Sequence, residues 1–307
     1  MSTKTAWSPE WVDDGIESTL AFLRERERLQ LALFIGPVVL IMFIGLIVPV
    51  LYMVAISFLN GLPPGAEFTL ANYQRLVESD VYLNIGIDTI VLTLQTTSLV
   101  VVLGYLLAYG IAMFAKRQKL LLLLVVLPFW TNYLVRNFAL IAIFQTGGPF
   151  NQLLSNILFF LDNPSIGGDV LFTRTSVLMG LVYSFLPVAV LPMYASISRM
   201  DKSLISASKD LGAGPIKTFV FVTLPQTKDG VFVGTLLAAV PTFGAFVTPA
   251  MLGGPNDNMI GRLIELQYMQ VYDVPFGSAL GTVLSLFVIA VLSIGFLNDG
   301  IPIIDNE

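Results

Sequence analysis

The sequence predicts an all-α protein that crosses a lipid bilayer six times. Of its 307 residues, 55% are hydrophobic and only 12% are charged, and the mean hydropathy is +0.81. Soluble domains carry about 25% charged residues, so this chain is too apolar to fold in water alone. Its apolar segments reach or exceed the roughly 20 residues that are needed to span a bilayer. We therefore expect a polytopic membrane protein with six transmembrane helices.

The predicted spans follow the apolar segments. The first segment is uncharged and contains Pro37 and Pro49, which would kink the helix without ending it when neighbouring helices satisfy the freed carbonyls. Residues 1–30 form a polar tail with the pattern of an interfacial or cytosolic helix, and residues 299–307 form a short acidic tail. The six spans are residues 31–58, 83–115, 120–145, 173–198, 230–251 and 276–297.

The basic residues predict the orientation of the spans in the membrane. If the N-terminus lies in the cytoplasm, all but four of the 16 Lys and Arg residues fall in cytoplasmic segments. Cytoplasmic loops carry an excess of Lys and Arg, so both termini are expected in the cytoplasm of a multi-pass cell-membrane protein. The four basic residues on the outer side are Arg75, Arg136, Arg174 and Arg262.

The composition excludes several classes of activity. The chain has no cysteine and no histidine, which removes disulfides, thiolate metal sites, cysteine nucleophiles and the commonest general base. It has no phosphate-binding P-loop, so it is not expected to hydrolyse ATP itself. No cofactor or metal is expected, and no basic surface suited to nucleic acid is present.

Residues 201–225 form a polar loop that interrupts the apolar chain. Asp201 or Ser203 can cap a first short helix by accepting from its free N–H groups. Gly212 is suited to the left-handed position that ends a helix, and Gly214-Pro215 can open a second one. The loop is thus predicted to form an elbow of two short helices, which on this pattern alone could simply connect two spans.

The spacing within this elbow resembles the cytoplasmic loop of binding-protein-dependent ABC importer permeases. Their pattern is Glu-Ala-Ala, three residues, Gly, nine residues, Ile, one residue and Leu-Pro. Here Ser206-Ala207-Ser208, Gly212, Val222 and Leu224-Pro225 stand at the same spacing, with Ser206 in place of Glu. The resemblance implies a type I (MetI-like) ABC importer permease fold and a loop that docks on a separate ATPase subunit. The coupling residues that it implies are Ser206, Ala207, Ser208, Asp210, Leu211, Gly212, Ala213 and Pro225.

Two further segments resemble the polyamine-transporting members of this family. Leu127–Phe144 contains Pro-Phe-Trp-Thr and Leu-Val-Arg, and Gly244–Tyr268 contains Leu-Gly-Gly-Pro and Met-Ile-Gly-Arg. The resemblance extends over residues 31–298 and implies uptake of spermidine or putrescine. It also implies a second homologous permease subunit, two ATPase subunits and an extracytoplasmic substrate-binding protein. Close relatives carry other small solutes, so an amino acid derivative, betaine or a metal-ion complex is the alternative cargo.

Several residues are candidates for the translocation path. Asp88 lies near the start of a span, where an acid either faces water or a partner or sits at the interface. Trp130, Tyr133 and Asn137 lie near a proline in the third span. Aromatic rings can hold ammonium groups by cation–π contacts worth about 0.5–2 kcal/mol, although an aromatic belt at the membrane surface would have the same pattern.

Two features of the outer side have other expected roles. Arg136 would repel a polycation, so a structural role or a contact with the binding protein is expected. Gly253-Gly254-Pro255 reads as a tight turn in an outer loop and is a candidate docking point for the binding protein.

Two rival classes fit the sequence less well. A secondary transporter or channel is expected to bury an ion-coupling acid near the bilayer midplane, and spans 1, 4, 5 and 6 contain none there. An intramembrane enzyme needs a nucleophile with a base, and no such pair can be assembled from the remaining Ser, Lys and Asp residues. The resemblance to ABC importer permeases is therefore the favoured interpretation, and it implies transport by alternating access, driven by ATP that partner subunits hydrolyse.

Overall fold

The structure is a computed structural model that describes residues 27–160 and 170–299, with side chains described for 33–156 and 170–293. Most of the predicted tail at residues 1–30, and all but the first residue of the tail at 299–307, lie outside the described residues. By internal packing the chain divides into two units, residues up to Ile56 and residues from Ser57 onwards.

The described residues are almost entirely helical, and their one extended pairing is an isolated bridge between Leu59 and Phe68. A 3-10 turn, Leu127–Trp130, follows α4, and π-helical turns follow α9 at Phe219–Thr223 and α13 at Gln267–Val271. In chain order the helices are α1 (Glu27–Ser57), α2 (Ala71–Glu78), α3 (Asp80–Phe114), α4 (Gln118–Val126), α5 (Tyr133–Phe144), α6 (Pro149–Phe160), α7 (Arg174–Arg199), α8 (Ser203–Asp210), α9 (Pro215–Thr218), α10 (Leu224–Gln226), α11 (Lys228–Phe243), α12 (Val247–Leu252), α13 (Ile260–Leu266) and α14 (Val274–Asp299).

The helices long and apolar enough to cross a membrane confirm a multi-pass protein. Among the described residues there are four: Leu33–Ser57, Asp80–Phe114, Arg174–Arg199 and Val274–Ser293. The pair Gln118–Trp130 and Tyr133–Phe144 passes the same criteria jointly but bends by 95°. The fifth predicted span, residues 230–251, is divided between α11 and α12. The all-helical membrane fold is confirmed, and the number of six spans stays a prediction.

The bend between α4 and α5 has a local cause. Pro128 lacks an N–H and cannot continue the hydrogen-bond ladder of α4, so the chain tightens into a 3-10 turn at Leu127–Trp130. Asn132 then caps α5 by accepting a 2.8 Å hydrogen bond from the Leu134 N–H. The new helix therefore starts in a different direction.

Three helices, α3, α7 and α11, form the main core of the second unit. Val100 and Ala108 of α3, Val190 and Met193 of α7, and Ala238 of α11 are buried together. The backbones of α7 and α11 approach so closely that a Cβ on Gly234 would lie 2.9 Å from the Ala189 carbonyl. Small residues permit such contacts between membrane helices.

A second cluster lies at the other end of α7. Leu140, Val177, Leu181, Leu252 and Met259 pack there and hold α5, α7 and α12 together. Because α7 has 26 residues, its ends lie about 39 Å apart. One end leads into the predicted elbow, and we call the other the opposite end.

Candidate functional site

The predicted elbow is present at the end of α7. The Asp201 carboxylate accepts a 2.8 Å hydrogen bond from the Ser203 N–H and so caps α8. Hydrogen bonds from the backbone and the hydroxyl of Ser203 lower the pKa of Asp201 below its usual value. Gly212 has a φ of +80°, which favours glycine, and α9 begins at Pro215. The helix–turn–helix prediction is confirmed.

Backbone hydrogen bonds make this turn rigid. The Leu211 N–H donates to the Ala207 carbonyl at 3.1 Å, and the Ala213 N–H donates to the Ser208 carbonyl at 3.0 Å. The two arms are also joined through side chains, because the hydroxyls of Ser208 and Thr218 lie 2.9 Å apart. The elbow is thus closed by both backbone and side-chain contacts.

The elbow presents an exposed apolar surface. Leu211, Ile216 and Phe221 are 89%, 79% and 75% exposed. An open groove of about 470 Å³ runs between α8 and the segment around Phe221. A patch of large apolar side chains outside a protein core commonly marks an interaction site. The residues that line this groove include Leu204, Ala207, Ser208, Leu211, Val222 and Pro225.

Most of the predicted coupling residues are available to a partner. Ser206, Ala207, Asp210, Leu211, Gly212 and Pro225 are exposed, and Ser208 and Ala213 are partly buried. Ser206, which occupies the position of the missing glutamate, lies on the exposed side of α8. The structure therefore brings these residues together on one surface, and their role in coupling stays a prediction.

At the opposite end of α7, Asp88 has a basic partner. Its carboxylate accepts a 2.9 Å hydrogen bond from the Arg174 guanidinium, which joins α3 to the start of α7. The Asp88 side chain is 51% exposed. Exposed ion pairs contribute little stability, typically about 0–1 kcal/mol, so the acid remains accessible to a competing cation.

The aromatic candidates near the bend have unlike environments. Trp130 is 74% exposed, whereas Asn137 is fully buried. The Tyr133 hydroxyl donates to Thr248 at 2.7 Å, and Thr248 donates to the Asn137 side-chain oxygen at 3.0 Å. The Asn137 amide donates back to the Tyr133 carbonyl at 2.9 Å. Asn137 therefore positions Tyr133 and fastens α5 to α12.

Arg136 lies beside this network and is 6% exposed. Its guanidinium donates to the carbonyls of Thr131 at 3.2 Å, Phe129 at 3.5 Å and Ser184 at 3.5 Å. It also lies 5.7 Å from the ring centroids of Phe129 and Tyr133. These contacts hold the bend between α4 and α5 in place, which supports the structural role expected for this residue.

The predicted turn at Gly253-Gly254-Pro255 is held from two sides. The Gly254 N–H donates to the Asp257 carboxylate at 3.1 Å, and the Gly253 N–H donates to the Pro249 carbonyl at 3.0 Å. A Cβ on Gly254 would lie 2.5 Å from the Phe172 carbonyl, so only glycine fits. Pro255 at the tip is exposed.

Some residues of this arrangement were not predicted from the sequence. Arg174 is an ordinary outer arginine in the sequence, and only the fold places it against Asp88. The same holds for Thr248, which reaches Tyr133 across 115 positions of sequence. The contact of Ser208 could have been suspected from the sequence, because its hydroxyl replaces the second alanine of the permease pattern.

Comparison with known proteins places the chain in a family. Residues 100–299 match the family model described as binding-protein-dependent transport system inner membrane component. The spermidine/putrescine transport system permease protein PotB of Escherichia coli K12 is 37% identical over 71% of this chain and 78% of its own length. PotB of Haemophilus influenzae is 33% identical over 76% of this chain and 81% of its own length.

A solved structure has the same fold. The bacterial alginate ABC transporter, in complex with an alginate pentasaccharide-bound periplasmic protein, matches with a TM-score of 0.72 at 16% identity. The match covers 90% of this chain and 95% of that one. The family match over residues 100–299 establishes that the chain belongs to the binding-protein-dependent transport system inner membrane components.

Proposed function

We propose that this chain forms the membrane path of an ATP-driven importer of polyamines such as spermidine and putrescine. The relatives that share 33–37% of its residues carry this substrate in their names. Leu140 and Phe144 after the bend and Leu252 and Met259 on either side of Gly253, all within the segments that resemble polyamine permeases, share the apolar cluster at the opposite end from the elbow. The fold class and the likeness to these permeases therefore both support polyamine import.

The observation that carries the proposal is the apolar groove of the elbow. A partner must cover Leu211, Ile216 and Phe221, which are nearly bare in this chain. The elbow's spacing matches the loop that docks on an ATPase, and its closed hydrogen bonds make it stiff. A separate ATPase subunit, two per transporter, is the partner that we propose for this groove.

The remaining partners follow from this orientation. The elbow and both termini lie in the cytoplasm, and the turn at Gly253-Gly254-Pro255 lies outside. A substrate-binding protein docks on that turn, as supported by a transporter of the same fold whose structure includes a substrate-bound periplasmic protein. A second homologous permease subunit completes the path.

The path residues that we propose are Asp88, Trp130 and Tyr133, with Asn137 acting through Tyr133. The half-exposed Asp88 carboxylate can exchange Arg174 for a substrate ammonium group. The rings of Trp130 and Tyr133 offer cation–π contacts to an ammonium group that passes them. Arg136 is turned towards backbone carbonyls and towards the rings of Phe129 and Tyr133, so of the two path rings Trp130 is the one that Arg136 does not face.

The mechanism that we propose is alternating access. ATP closes the two ATPase subunits, which carry the elbow with them. Because the elbow is rigid, its displacement is passed to the helix bundle and is not absorbed within the loop. The bundle then changes from open towards the cytoplasm to open towards the outside.

Uptake of labelled spermidine and putrescine tests the proposal. Cells with and without this gene are compared in the presence of excess unlabelled amino acids, sugars or betaine. We expect energy-dependent uptake that only polyamines compete for and that is lost with the gene. Unchanged polyamine uptake in cells without a redundant system would contradict the substrate, and competition by betaine or an amino acid would identify the alternative cargo.

A further inference from the structure

An aromatic contact joins the elbow to a helix that does not adjoin it in sequence. Phe219, the first residue of the π-helical turn after α9, packs edge-on against two tyrosines of α3. Its ring centroid lies 5.7 Å from that of Tyr105 and 5.9 Å from that of Tyr109. Aromatic pairs in this geometry contribute about 0.5–1.5 kcal/mol beyond their buried area.

A buried hydrogen bond reinforces this contact. The hydroxyls of Tyr105 and Thr227 lie 2.8 Å apart, and Thr227 is fully buried. Thr227 also donates to the Thr223 carbonyl at 2.9 Å. Since a hydroxyl has one hydrogen, Tyr105 is the donor to Thr227, and the chain of bonds ends on the π-helical turn. We call Tyr105, Tyr109, Phe219 and Thr227 the α3 clamp.

The position of the clamp gives it a mechanical consequence. The elbow is covalently continuous with α7 and α11, and the clamp adds a direct side-chain contact with α3. The elbow leads into α11 through the π-helical turn Phe219–Thr223, which departs from the regular α-helical hydrogen-bond pattern. Such turns are frequent at functional sites. Without the clamp, this turn would be joined to α3 less directly, through the packing of α7 and α11 on α3.

We infer that the α3 clamp transmits the movement of the elbow to α3, so that substrate movement stays coupled to ATP hydrolysis. This inference depends on the proposed function, because it requires the elbow to be driven by an ATPase. Tyr105 and Thr227 are positioning residues in this account, since neither touches substrate or nucleotide.

The test uses the complete transporter, with its partner permease, ATPase subunits and binding protein, in proteoliposomes. Tyr105→Phe and Thr227→Val each remove one hydroxyl and keep the shape of the side chain. We expect each to raise the number of ATP molecules hydrolysed per substrate imported by about threefold to tenfold, the factor that corresponds to one net hydrogen bond. The double variant should hydrolyse no more ATP per imported substrate than either single variant. Thr227→Ser, which keeps the hydroxyl, should have the wild-type ratio.

Other results would contradict the clamp. If uptake and ATP hydrolysis fell by the same factor, the residues would serve folding or assembly alone. If the ratio stayed at the wild-type value in both variants, movement would reach α3 by another route.

A second measurement separates the clamp from the identity of the substrate. The chain has no cysteine, so paired labels can be placed at Lys217→Cys in the elbow and Leu106→Cys in α3 without removing native thiols. We expect the distance between the labels to stay constant when ATP is added to the wild-type clamp and to change in Thr227→Val. If the wild-type transporter imports no polyamine, the proposed substrate is refuted, and the label distance still decides the role of the clamp. If ATP changes the distance equally in the wild type and in Thr227→Val, the clamp is refuted.

Discussion

Ser208 and Thr218 hold the two arms of the elbow together, with 2.9 Å between their hydroxyl oxygens. Ser208 also donates to the Ile205 carbonyl at 2.9 Å, so Thr218 is the donor between the two hydroxyls. The permease pattern that this loop resembles has alanine at the position of Ser208. This chain therefore adds a polar contact where that pattern offers only an apolar methyl group.

Removing this contact should loosen the elbow. Thr218→Val keeps the shape of the buried side chain and deletes the donor, so amide hydrogen exchange in Ser203–Asp210 should accelerate by about twofold to tenfold. Exchange measured by mass spectrometry on the purified transporter checks this. Thr218→Ser keeps the hydroxyl and is the matched control; exchange as slow in Thr218→Val as in Thr218→Ser would show that the contact does not stabilise the elbow.

The backbone of Gly212 offers a second test of rigidity. Its φ of +80° costs a residue with a side chain about 1–2 kcal/mol, and valine is especially poor there. We expect Gly212→Val to abolish transport while the protein still reaches the membrane. Gly214→Val is the control, because Gly214 has a φ of −71° and open space around it. Normal uptake by Gly212→Val, measured at equal membrane levels, would remove the elbow from the mechanism.

Arg136 should be a stability residue of the bend. Arg136→Leu leaves the partly buried carbonyl of Thr131 without its donor, and the loss of such a hydrogen bond costs about 1–3 kcal/mol. We expect a lower thermal unfolding midpoint of the purified transporter. Arg174→Leu is the comparison, since that exposed arginine takes part in a surface pair worth about 0–1 kcal/mol. Equal midpoints for the two variants would mean that Arg136 does not hold the bend.

Two roles of Asp88 can be distinguished by mutation: contact with the substrate in the path, and a structural ion pair with Arg174. If Asp88 meets the substrate, Asp88→Asn should raise the KM for polyamine uptake several-fold, because a charge-assisted contact is lost. The exchanged pair Asp88→Arg with Arg174→Asp should not restore the KM, since it moves the acid to α7. Full restoration by the exchange would show that only the ion pair matters.

The elbow was the most predictable part of the molecule. Asp201, Gly212 and Pro215 each act within a few residues of themselves, so capping, left-handed backbone and helix initiation are all readable from local sequence. The long apolar helices were equally accessible, because length and composition decide them. The sequence shows the proline of the third span, but the 95° bend beside it depends on the packing of Arg136 and Tyr133 against distant elements.

The pairs that complete the site could not be predicted. Asp88 meets Arg174 across 86 positions, and Tyr105 meets Thr227 across 122. No spacing rule operates over such separations, because the partners are chosen by the packing of α3 against α7 and α11. Asn137 was predicted to line the path, but it is fully buried and bonds to Tyr133 and Thr248, contacts that the sequence did not indicate.

The contact between α7 and α11 has a consequence for how this protein can diverge. A Cβ at Gly230 would lie 2.7 Å from the Pro192 carbonyl, and one at Gly234 would lie 2.9 Å from the Ala189 carbonyl. Side-chain atoms of Ser196 and Met193 lie nearer still, but the two carbonyls are backbone atoms, so a change of a neighbouring side chain alone cannot admit even alanine. A larger residue at either position thus requires the two helix backbones to move apart at that point. Homologues that retain this helix spacing are expected to keep glycine at both positions, however far their substrates have diverged.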